Sequence, residues 1–192
     1  MAEPEAGAKR VGILSLQGGY AAHAAALADL GHEAVEVRTA ADLEGLDGLV
    51  LPGGESSVQL LLLDRHLLWA PLAAFLRSGR PILATCAGLI LAARRVTHPE
   101  QRSLGWLDVQ VARNAWGRQI DSFEDRSDDG EHPLVFIRAP RVPEVGRGVE
   151  VLATLRGEPV LVRQGSTLGA TFHPELTSDR SIHKLAFGSV AH

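Results

Sequence analysis

Short apolar runs alternate with helix-like stretches through the first half of the chain. The runs are rich in leucine and β-branched residues and have no polar face, which is typical of strands buried on both sides. The predicted strands are Val11–Leu16, Ala34–Val37, Gly48–Leu51 and Pro81–Ala84, and the predicted helices are Tyr20–Leu30, Ser56–Leu63, Pro71–Arg77 and Ala87–Arg95. This alternation predicts an α/β fold, in which a doubly wound, mostly parallel sheet is flanked by helices.

After Trp106 the pattern changes, because strand-like runs follow one another at short intervals between Gly, Pro and Asp clusters. The predicted strands are Leu107–Ala112, Leu134–Arg138, Val149–Leu155, Val160–Gln164 and Leu168–Phe172, and one helix is predicted over Ser178–Phe187. Such close spacing favours hairpin connections, so we expect an antiparallel or mixed extension of the same sheet. The acidic segment Asp121–His132 is expected to be a mobile loop.

Residues 11–192 are expected to form one domain, preceded by a disordered leader over residues 1–10. The leader is acidic, contains proline and lacks the features of a secretory signal. The most apolar stretch, Leu60–Ala70, is interrupted by Asp64, Arg65 and His66 and is too short for a membrane span. We therefore predict a cytoplasmic protein that does not enter a membrane.

Composition narrows the possible functions. The chain has 192 residues, enough to bury a core of its own, and one cysteine, which excludes an internal disulfide and multi-cysteine metal centres. We expect neither a metal nor a cofactor. The net charge is −4 and the basic residues are scattered, so nucleic acid is not an expected partner.

Candidate chemistry follows the predicted strands, because ligands of open parallel sheets bind beyond the carboxyl ends of the strands. Cys86 lies in the sequence Thr-Cys-Ala-Gly, directly after Pro81–Ala84 and before a predicted helix. A tight turn from strand to helix exposes a nucleophile at the sheet edge, and the helix dipole favours a thiolate there. Taken alone, Cys86 is better interpreted as a buried structural cysteine, because cysteine is among the most often buried residue types.

His173 and Glu175 flank a proline after the last predicted strand. Proline favours an extended conformation at His173, and residues two apart in an extended chain point to the same side. His173 can therefore act as a base that Glu175 orients, which together with a thiol makes a cysteine hydrolase. Other histidines, for instance His23, His32, His66 and His98, are interpreted as surface or helix residues.

Two glycine-containing turns follow other predicted strands at the same edge of the sheet. Leu51-Pro-Gly-Gly-Glu-Ser-Ser57 can turn backbone N–H groups toward an oxyanion, with Ser56 capping the next helix, although it can also be a plain turn. No Gly-Lys-Ser/Thr follows, so a phosphate-binding loop is not expected. The turn at Gln17-Gly-Gly lacks the spacing of a dinucleotide-binding motif, and Gln17 remains as a neutral donor at the same edge.

Together these segments resemble the triad-type, class I glutamine amidotransferases, and within them the glutaminase subunits of pyridoxal 5′-phosphate synthase. The resemblance rests on Leu16-Gln-Gly18, Pro52-Gly-Gly-Glu-Ser56, Cys86-Ala-Gly-Leu-Ile-Leu-Ala92, Arg113-Asn-Ala-Trp-Gly-Arg-Gln119 with Ser122-Phe-Glu124, and Phe172-His-Pro-Glu-Leu176. Ser57 and Trp116 depart from the family pattern, where threonine and a smaller aromatic residue are usual.

The resemblance implies that L-glutamine is hydrolysed to glutamate and ammonia, with Cys86 as nucleophile, His173 as general base and acid, and Glu175 as its orienting partner. It implies that N–H groups of Gly54 and Ala87 stabilise the oxyanion. The residues implied to hold glutamine are Gly54, Glu55, Ser56, Arg113, Ile137 and Arg138, with Gln17 positioning the substrate amide.

Free ammonia is mostly ammonium at neutral pH, so an acceptor enzyme must receive it directly. The resemblance implies a separate barrel-shaped lyase subunit, which makes pyridoxal 5′-phosphate in a hetero-oligomer, and low glutaminase activity without it. The alternatives are a glutaminase of another pathway, such as histidine or aminobenzoate biosynthesis, a peptidase, γ-glutamyl hydrolase or stress protein with a similar cysteine turn, and a non-catalytic interaction subunit.

Overall fold

The computed structural model describes residues 7–113 and 122–190. Its strands in the first half are β1 (Arg10–Leu14), β2 (Glu33–Val37), β3 (Gly48–Leu51), β4 (Ile82–Thr85), β5 (Ala93–Thr97) and β6 (Leu107–Ala112). The helices of this half are α1 (Tyr20–Asp29), α2 (Ser56–Arg65), α3 (Trp69–Leu76) and α4 (Ala87–Ala92). The second half contains β7 (Ser122–Arg126), β8 (Pro133–Ile137), β9 (Arg141–Val145), β10 (Glu150–Leu155), β11 (Glu158–Gln164), β12 (Thr167–Ala170) and α5 (Ser181–Phe187).

Within these described residues the central sheet has seven strands in the order β10-β11-β12-β4-β3-β1-β2. Strands β2, β1, β3, β4 and β12 are parallel, and β11 and β10 extend the sheet in antiparallel fashion. The carboxyl ends of β1, β3, β4 and β12 therefore lie along one edge, which is where the candidate turns of the sequence begin. The predicted doubly wound α/β fold is confirmed.

Both faces of the sheet are buried. Leu49 and Leu51 of β3 belong to one apolar cluster, whereas Val50 between them belongs to another. The first cluster receives side chains from α2, α3 and α4, and the second receives side chains from α1 and α5. Helices α1 and α5 consequently lie on the same face of the sheet, although they come from opposite ends of the chain.

The helix predicted over Ala87–Arg95 is too long. It ends at Ala92, and Ala93–Thr97 forms a strand that pairs in parallel with β6. The N–H of Trp106 donates to the carbonyl oxygen of Ala92 at 3.0 Å, which holds the end of the helix against the incoming chain. Pairing with a distant strand therefore overrides the local preference for helix.

The expectation that all later strands extend one sheet is also wrong in part. β6 lies in a separate sheet with the order β5-β6-β9, and β8 pairs with β7. The segment expected to be an acidic loop contains β7, which is anchored because Phe123 stacks on Phe136 at 4.6 Å between ring centroids. The last helix begins at Ser181 rather than Ser178, because the Asp179 carboxylate accepts a hydrogen bond from the Ser181 N–H at 2.7 Å.

The first strand begins at Arg10, and Lys9 donates a hydrogen bond from Nζ to the carbonyl oxygen of Phe187 at 2.7 Å. Residues 1–6 of the expected leader lie outside the described residues, as do residues 114–121 with Trp116 and most of the segment that follows Arg113. In the described part of the chain no single helix is long and apolar enough to cross a membrane, and the apolar pair α2 and α3 is bent by 106°.

Candidate active site

Cys86 connects β4 to α4 in a conformation that few L-residues adopt. Its φ is 48° and its ψ is −106°, and positive φ at a non-glycine residue is strained and concentrated at functional sites. The turn places the residue at the N-terminus of α4, with the thiol directed to the carbonyl oxygen of Ile137 at 3.9 Å. This geometry is that of a nucleophile on a tight turn from strand to helix.

Two glycines allow neighbouring backbone segments to approach this turn. A Cβ atom on Gly88 would overlap the carbonyl oxygen of Leu51, and one on Gly53 would overlap Cε1 of His173. Neither glycine has a positive φ in the left-handed region. Glycine is therefore required at both positions by lack of space, not by backbone conformation, and the end of β3 lies directly against the thiol and its base.

His173 and Glu175 form a buried hydrogen-bonded pair beside Cys86. Nδ1 of His173 lies 2.7 Å from Oε1 of Glu175, and the Cys86 thiol is close enough to the His173 ring to raise its pKa. The sequence predicted this contact from an extended chain, whereas the structure makes it through a 3₁₀ turn over Pro174–Leu176. The three side chains are thus arranged as thiol, imidazole and carboxylate in a row.

Charges within this row favour an ionised pair. Burial by itself disfavours a charged His173, but hydrogen bonds and attraction from Cys86 and Glu175 outweigh it and raise the pKa of His173 to about 10. Burial likewise opposes ionisation of Glu175, yet its hydrogen bond to His173 and the nearby imidazoles lower the pKa of Glu175. At neutral pH the row contains an imidazolium and a carboxylate.

The turn after β3 also borders the space in front of the thiol. Gly54 has a φ of 150°, which favours glycine, and a Cβ atom there would overlap Oε1 of Gln17. That oxygen accepts a hydrogen bond from the N–H of Glu55 at 2.7 Å, so Gln17 holds the turn in place. Ala87 begins α4, where backbone N–H groups have no intrahelical partner. The two expected oxyanion donors, Gly54 and Ala87, therefore both line the space in front of Cys86.

Charged groups occupy one wall of this space. Nη2 of Arg113 lies 3.6 Å from Oε1 of Glu55 and donates to Oγ of Ser57 at 3.2 Å. Burial opposes ionisation of Glu55, but hydrogen bonds from the N–H of Val58 and from Ser57 outweigh it and lower the pKa of Glu55. The Glu55 carboxylate, and not Ser56 as the sequence suggested, caps α2. Ser56 is instead buried and bonds to Gln101 at 3.2 Å.

These groups enclose one cleft of about 190 Å³. It is smaller than the roughly 300–1,000 Å³ of pockets for drug-sized ligands and suits a small polar molecule. Its lining residues are Gln17, Gly54, Glu55, Ser56, Cys86, Ala87, Ile90, Arg113, Ile137, Arg138, Pro140 and His173. Every expected site residue lies here except Glu175, which stands behind His173. Within the described residues no group of three or more His, Cys, Asp or Glu is arranged to hold a metal ion.

Comparisons with known proteins identify the family of this chain. The family model described as "SNO glutamine amidotransferase family" matches residues 13–190. The chain belongs to the SNO glutamine amidotransferase family. A relative named pyridoxal 5′-phosphate synthase subunit PdxT from Solibacter usitatus is 49% identical over 187 residues, covering 92% of this chain and 97% of that protein.

A second relative of the same name, from Mycobacteroides abscessus, is 51% identical over 181 residues, covering 91% of this chain and 94% of that protein. A solved structure described as a glutamine amidotransferase has a TM-score of 0.85 at 45% identity, and it covers 92% of this chain and 98% of that chain. The family resemblance inferred from the sequence is therefore confirmed.

Sequence reasoning missed several residues that line or adjoin the cleft. Ile90, one turn along α4, and Pro140, after β8, also line the cleft. His23 lies in a helix, as the sequence allows, but it is buried beside Glu175; the sequence also leaves His32 as a surface or helix residue, whereas it is buried outside the helices. A signal was present for His23, because it shares the spacing of the buried stripe formed with Ala26, Leu27 and Leu30.

Proposed function

We propose that this protein hydrolyses L-glutamine to L-glutamate and ammonia through a thioester on Cys86. The observation that carries the proposal is the row of Cys86, His173 and Glu175, with its 2.7 Å carboxylate–imidazole bond, at the wall of a small polar cleft. Thiol, imidazole and carboxylate in this order are the parts of a cysteine hydrolase.

The first half-reaction forms the thioester. The Cys86 thiolate attacks the side-chain amide carbon of glutamine, so that a C–S bond forms and the carbonyl electron pair moves onto oxygen. The N–H groups of Gly54 and Ala87 stabilise that oxyanion, and each such donor is worth about 2.7–4 kcal/mol of barrier. With its pKa raised to about 10, His173 is protonated at rest and gives its proton to the amide nitrogen as the C–N bond breaks.

The second half-reaction consumes water. His173 is now neutral, takes a proton from a water molecule, and the resulting hydroxide attacks the thioester carbon. The C–S bond breaks, glutamate leaves and the thiolate and imidazolium are restored. Throughout both steps Glu175 keeps Nδ1 of His173 protonated and its ring oriented, because Oε1 accepts the Nδ1–H.

The charged wall of the cleft fits the α-amino-acid end of glutamine. The Arg113 guanidinium can pair with the α-carboxylate, and the Glu55 carboxylate can accept from the α-ammonium group. Ser56, Ile137 and Arg138 close the remaining sides, and Arg138 is held with a φ of 45° directly after β8. Gln17 positions the substrate amide next to the Gly54 turn.

The ammonia is delivered to a separate synthase subunit, which makes pyridoxal 5′-phosphate. Relatives about half identical to this chain over nearly their whole length are named as subunits of that synthase, and this supports the partner. Delivery within a complex keeps ammonia from being protonated in bulk water. A cytoplasmic location, where a lone thiol stays reduced, fits this role.

The test is glutamine turnover with the amide nitrogen isotopically labelled. The full chain, mixed with the synthase subunit from the same source, should release glutamate and transfer the label into pyridoxal 5′-phosphate. The chain alone should release glutamate much more slowly. Absence of glutamate release in the mixture would refute the glutaminase proposal, and full release without the synthase would refute the partner dependence.

A covalent probe tests the nucleophile separately. Because Cys86 is the only cysteine in the sequence, a glutamine-like electrophile can label only this thiol. Labelling should disappear in Cys86→Ala and weaken in His173→Asn. Failure to label the wild-type chain with and without the synthase subunit would favour a non-catalytic interaction subunit.

A further inference from the structure

Two histidines that the reaction does not use are buried behind the catalytic row. His23 of α1 and His183 of α5 are both 0% exposed. Nδ1 of His23 lies 2.9 Å from Nε2 of His183, and their rings are tilted by 56° at 5.2 Å between centroids. Burying two polar rings in an apolar interface costs free energy unless their nitrogens are bonded, so the pair requires an explanation.

The other nitrogen of His23 faces the catalytic carboxylate. Nε2 of His23 lies 3.5 Å from Oε2 of Glu175 and 3.4 Å from Oγ1 of Thr85. Glu175 uses Oε1 for His173, whereas its buried Oε2 makes no hydrogen bond among the described residues and faces Nε2 of His23 at the longer distance. Thr85 in turn accepts the N–H of Gly53 at 3.1 Å. His23 therefore stands between the carboxylate and the glycine turn.

Both rings are neutral at physiological pH. Burial lowers the pKa of His23 to about 4 against the attraction of Glu175, and burial lowers that of His183 to about 3. His173 also disfavours a charge on His23, whereas Asp179 and Arg180 act on His183 in opposite directions. A neutral imidazole carries one N–H, so its position decides which neighbour it serves.

The neighbours assign that proton. A carboxylate oxygen accepts only, so His23 carries its proton on Nε2, toward Oε2 of Glu175. Nδ1 of His23 then accepts from Nε2–H of His183. Nδ1 of His183 is then a buried acceptor without a hydrogen-bond partner. Leaving an acceptor unpaired costs less free energy than leaving a buried N–H donor unpaired. His183 thus donates to His23, and the remaining N–H of His23 faces Oε2 of Glu175 at 3.5 Å.

We propose that His23 is a positioning residue, which holds the second oxygen of Glu175 so that the first stays aimed at His173, and that His183 fixes the tautomer of His23. The inference rests on the proposed glutaminase function. An imidazole lies beside each oxygen of the carboxylate, at 2.7 Å for His173 and 3.5 Å for His23, and neither His23 nor His183 lines the cleft. Their effect reaches the reaction only through the orientation of Glu175 and the protonation of His173.

The experiment replaces His23 in the full chain and follows two quantities that fold stability alone does not move. His23→Leu should lower kcat about tenfold at unchanged KM for glutamine, since a buried partner of Glu175 is lost. It should also lower the pKa of His173, measured by NMR titration of ring-labelled histidine. His23→Gln, which can place an N–H near the former Nε2, should restore most of both quantities.

His183 supplies a second, independent measurement. His183→Leu leaves Glu175 untouched but removes the donor that fixes the His23 tautomer, so a smaller loss of kcat is expected. Because His183 acts only through His23, the double variant should lose no more than His23→Leu does, a non-additivity that a double-mutant cycle detects. If His23→Leu does not fold, the test uses His183→Leu, His23→Gln and the double variant that combines them. Additive losses of kcat in that double variant would overturn the proposal that His183 acts through His23.

His32 is the matched control. It is also a buried histidine, bonded through Nε2 to the carbonyl oxygen of Gly188 at 3.0 Å and through Nδ1 to the N–H of Lys9 at 3.3 Å. His32→Leu should lower stability and leave kcat and the pKa of His173 unchanged. The proposal is overturned if His23→Leu keeps wild-type kcat and His173 pKa, or if His32→Leu changes them equally. If the wild-type chain, mixed with the synthase subunit, did not hydrolyse glutamine, the proposed function itself would be refuted.

Discussion

Nδ1 of His173 and Oε1 of Glu175 lie 2.7 Å apart with both side chains buried, so an imidazolium and a carboxylate face each other away from bulk water. Glu175→Gln keeps the shape and removes the charge. We expect kcat to fall by up to about 10⁴-fold, the effect of replacing an orienting carboxylate by its amide in a comparable triad. KM should change little, because Glu175 does not line the cleft.

The same variant should lower the pKa of His173 toward its ordinary value, since attraction to Glu175 is one of the causes that raise it. NMR titration of the histidine rings measures this directly. A Glu175→Gln variant with nearly wild-type kcat would show that another group orients His173.

Gly88 tests the space around the cysteine turn. In Gly88→Ala the new Cβ would overlap the Leu51 carbonyl oxygen, and the backbone must move. We expect a loss of about 1–3 kcal/mol in the free energy of unfolding, measured in urea, and slower alkylation of Cys86. Gly79→Ala is the control, because Gly79 has a φ of 75° and no atom within 4 Å. It should cost about 1 kcal/mol through backbone conformation and leave alkylation unchanged.

Arg113 tests recognition of the substrate. Arg113→Ala removes a guanidinium that is held at the cleft wall by Glu55 and Ser57. We expect KM for glutamine to rise about tenfold or more, as loss of a charge-assisted hydrogen bond predicts, with a smaller change in kcat. Arg163→Ala, which removes an exposed ion pair with Glu150 far along the sheet edge, should leave KM unchanged. Equal effects of the two substitutions would argue against a binding role for Arg113.

The buried histidines make stability depend on acid pH. Unfolding restores ordinary pKa values near 6.5 to His23 and His183, whereas the folded values are about 4 and 3. The unfolded chain therefore binds more protons in this window, and stability present above pH 6.5 is lost as pH falls toward 4. Each unit of difference corresponds to about 1.4 kcal/mol per group. Urea unfolding from pH 7 to pH 5 should show the decline, and His183→Leu should flatten it.

His173 makes stability depend on pH in the opposite direction, because its pKa is raised on folding. Its folded pKa of about 10 lies above the unfolded value near 6.5, so the folded chain binds more protons between these values. The stability that this pair contributes is fully present below pH 6.5 and is lost as pH rises toward 10. Unfolding measured from pH 7 to pH 9 should show a decline that Glu175→Gln reduces. A wild-type profile that is flat over this range would contradict the ionised pair.

Much of the fold could be predicted because its parallel strands are apolar throughout and end in marked turns. β3 and β4 are short runs between polar or glycine-containing segments, and each is buried on both faces. β7 could not be found in this way, because Phe123 is the one apolar residue of Ser122–Arg126 and the strand is held by backbone pairing with β8. β5 was hidden for a related reason, since nothing in Ala93–Thr97 itself reveals the partner strand β6.

The residues of the cleft could be predicted because chemistry and turn signals coincide at one sheet edge. The contacts that support these residues could not be predicted from the sequence. That the Glu55 carboxylate caps α2 while Ser56 bonds to Gln101 depends on how two loops meet. His23 and His183 are separated by most of the chain, and only the packing of α1 and α5 on one face brings their rings together. The spacing of His23 along α1 is compatible with burial, but it does not indicate which side chain His23 contacts.

The position of β12 has a consequence for how activity arises during synthesis. β12 joins the sheet between β4 and β11, so it is the bridge between strands made early and strands made late. The thiol-bearing turn after β4 and the base after β12 are brought side by side by this one insertion, through the pairing of Ala170 with Thr85. A nascent chain therefore contains Cys86 before His173 has been made, and the proposed thiol–imidazole contact forms only after β12 has paired with β4.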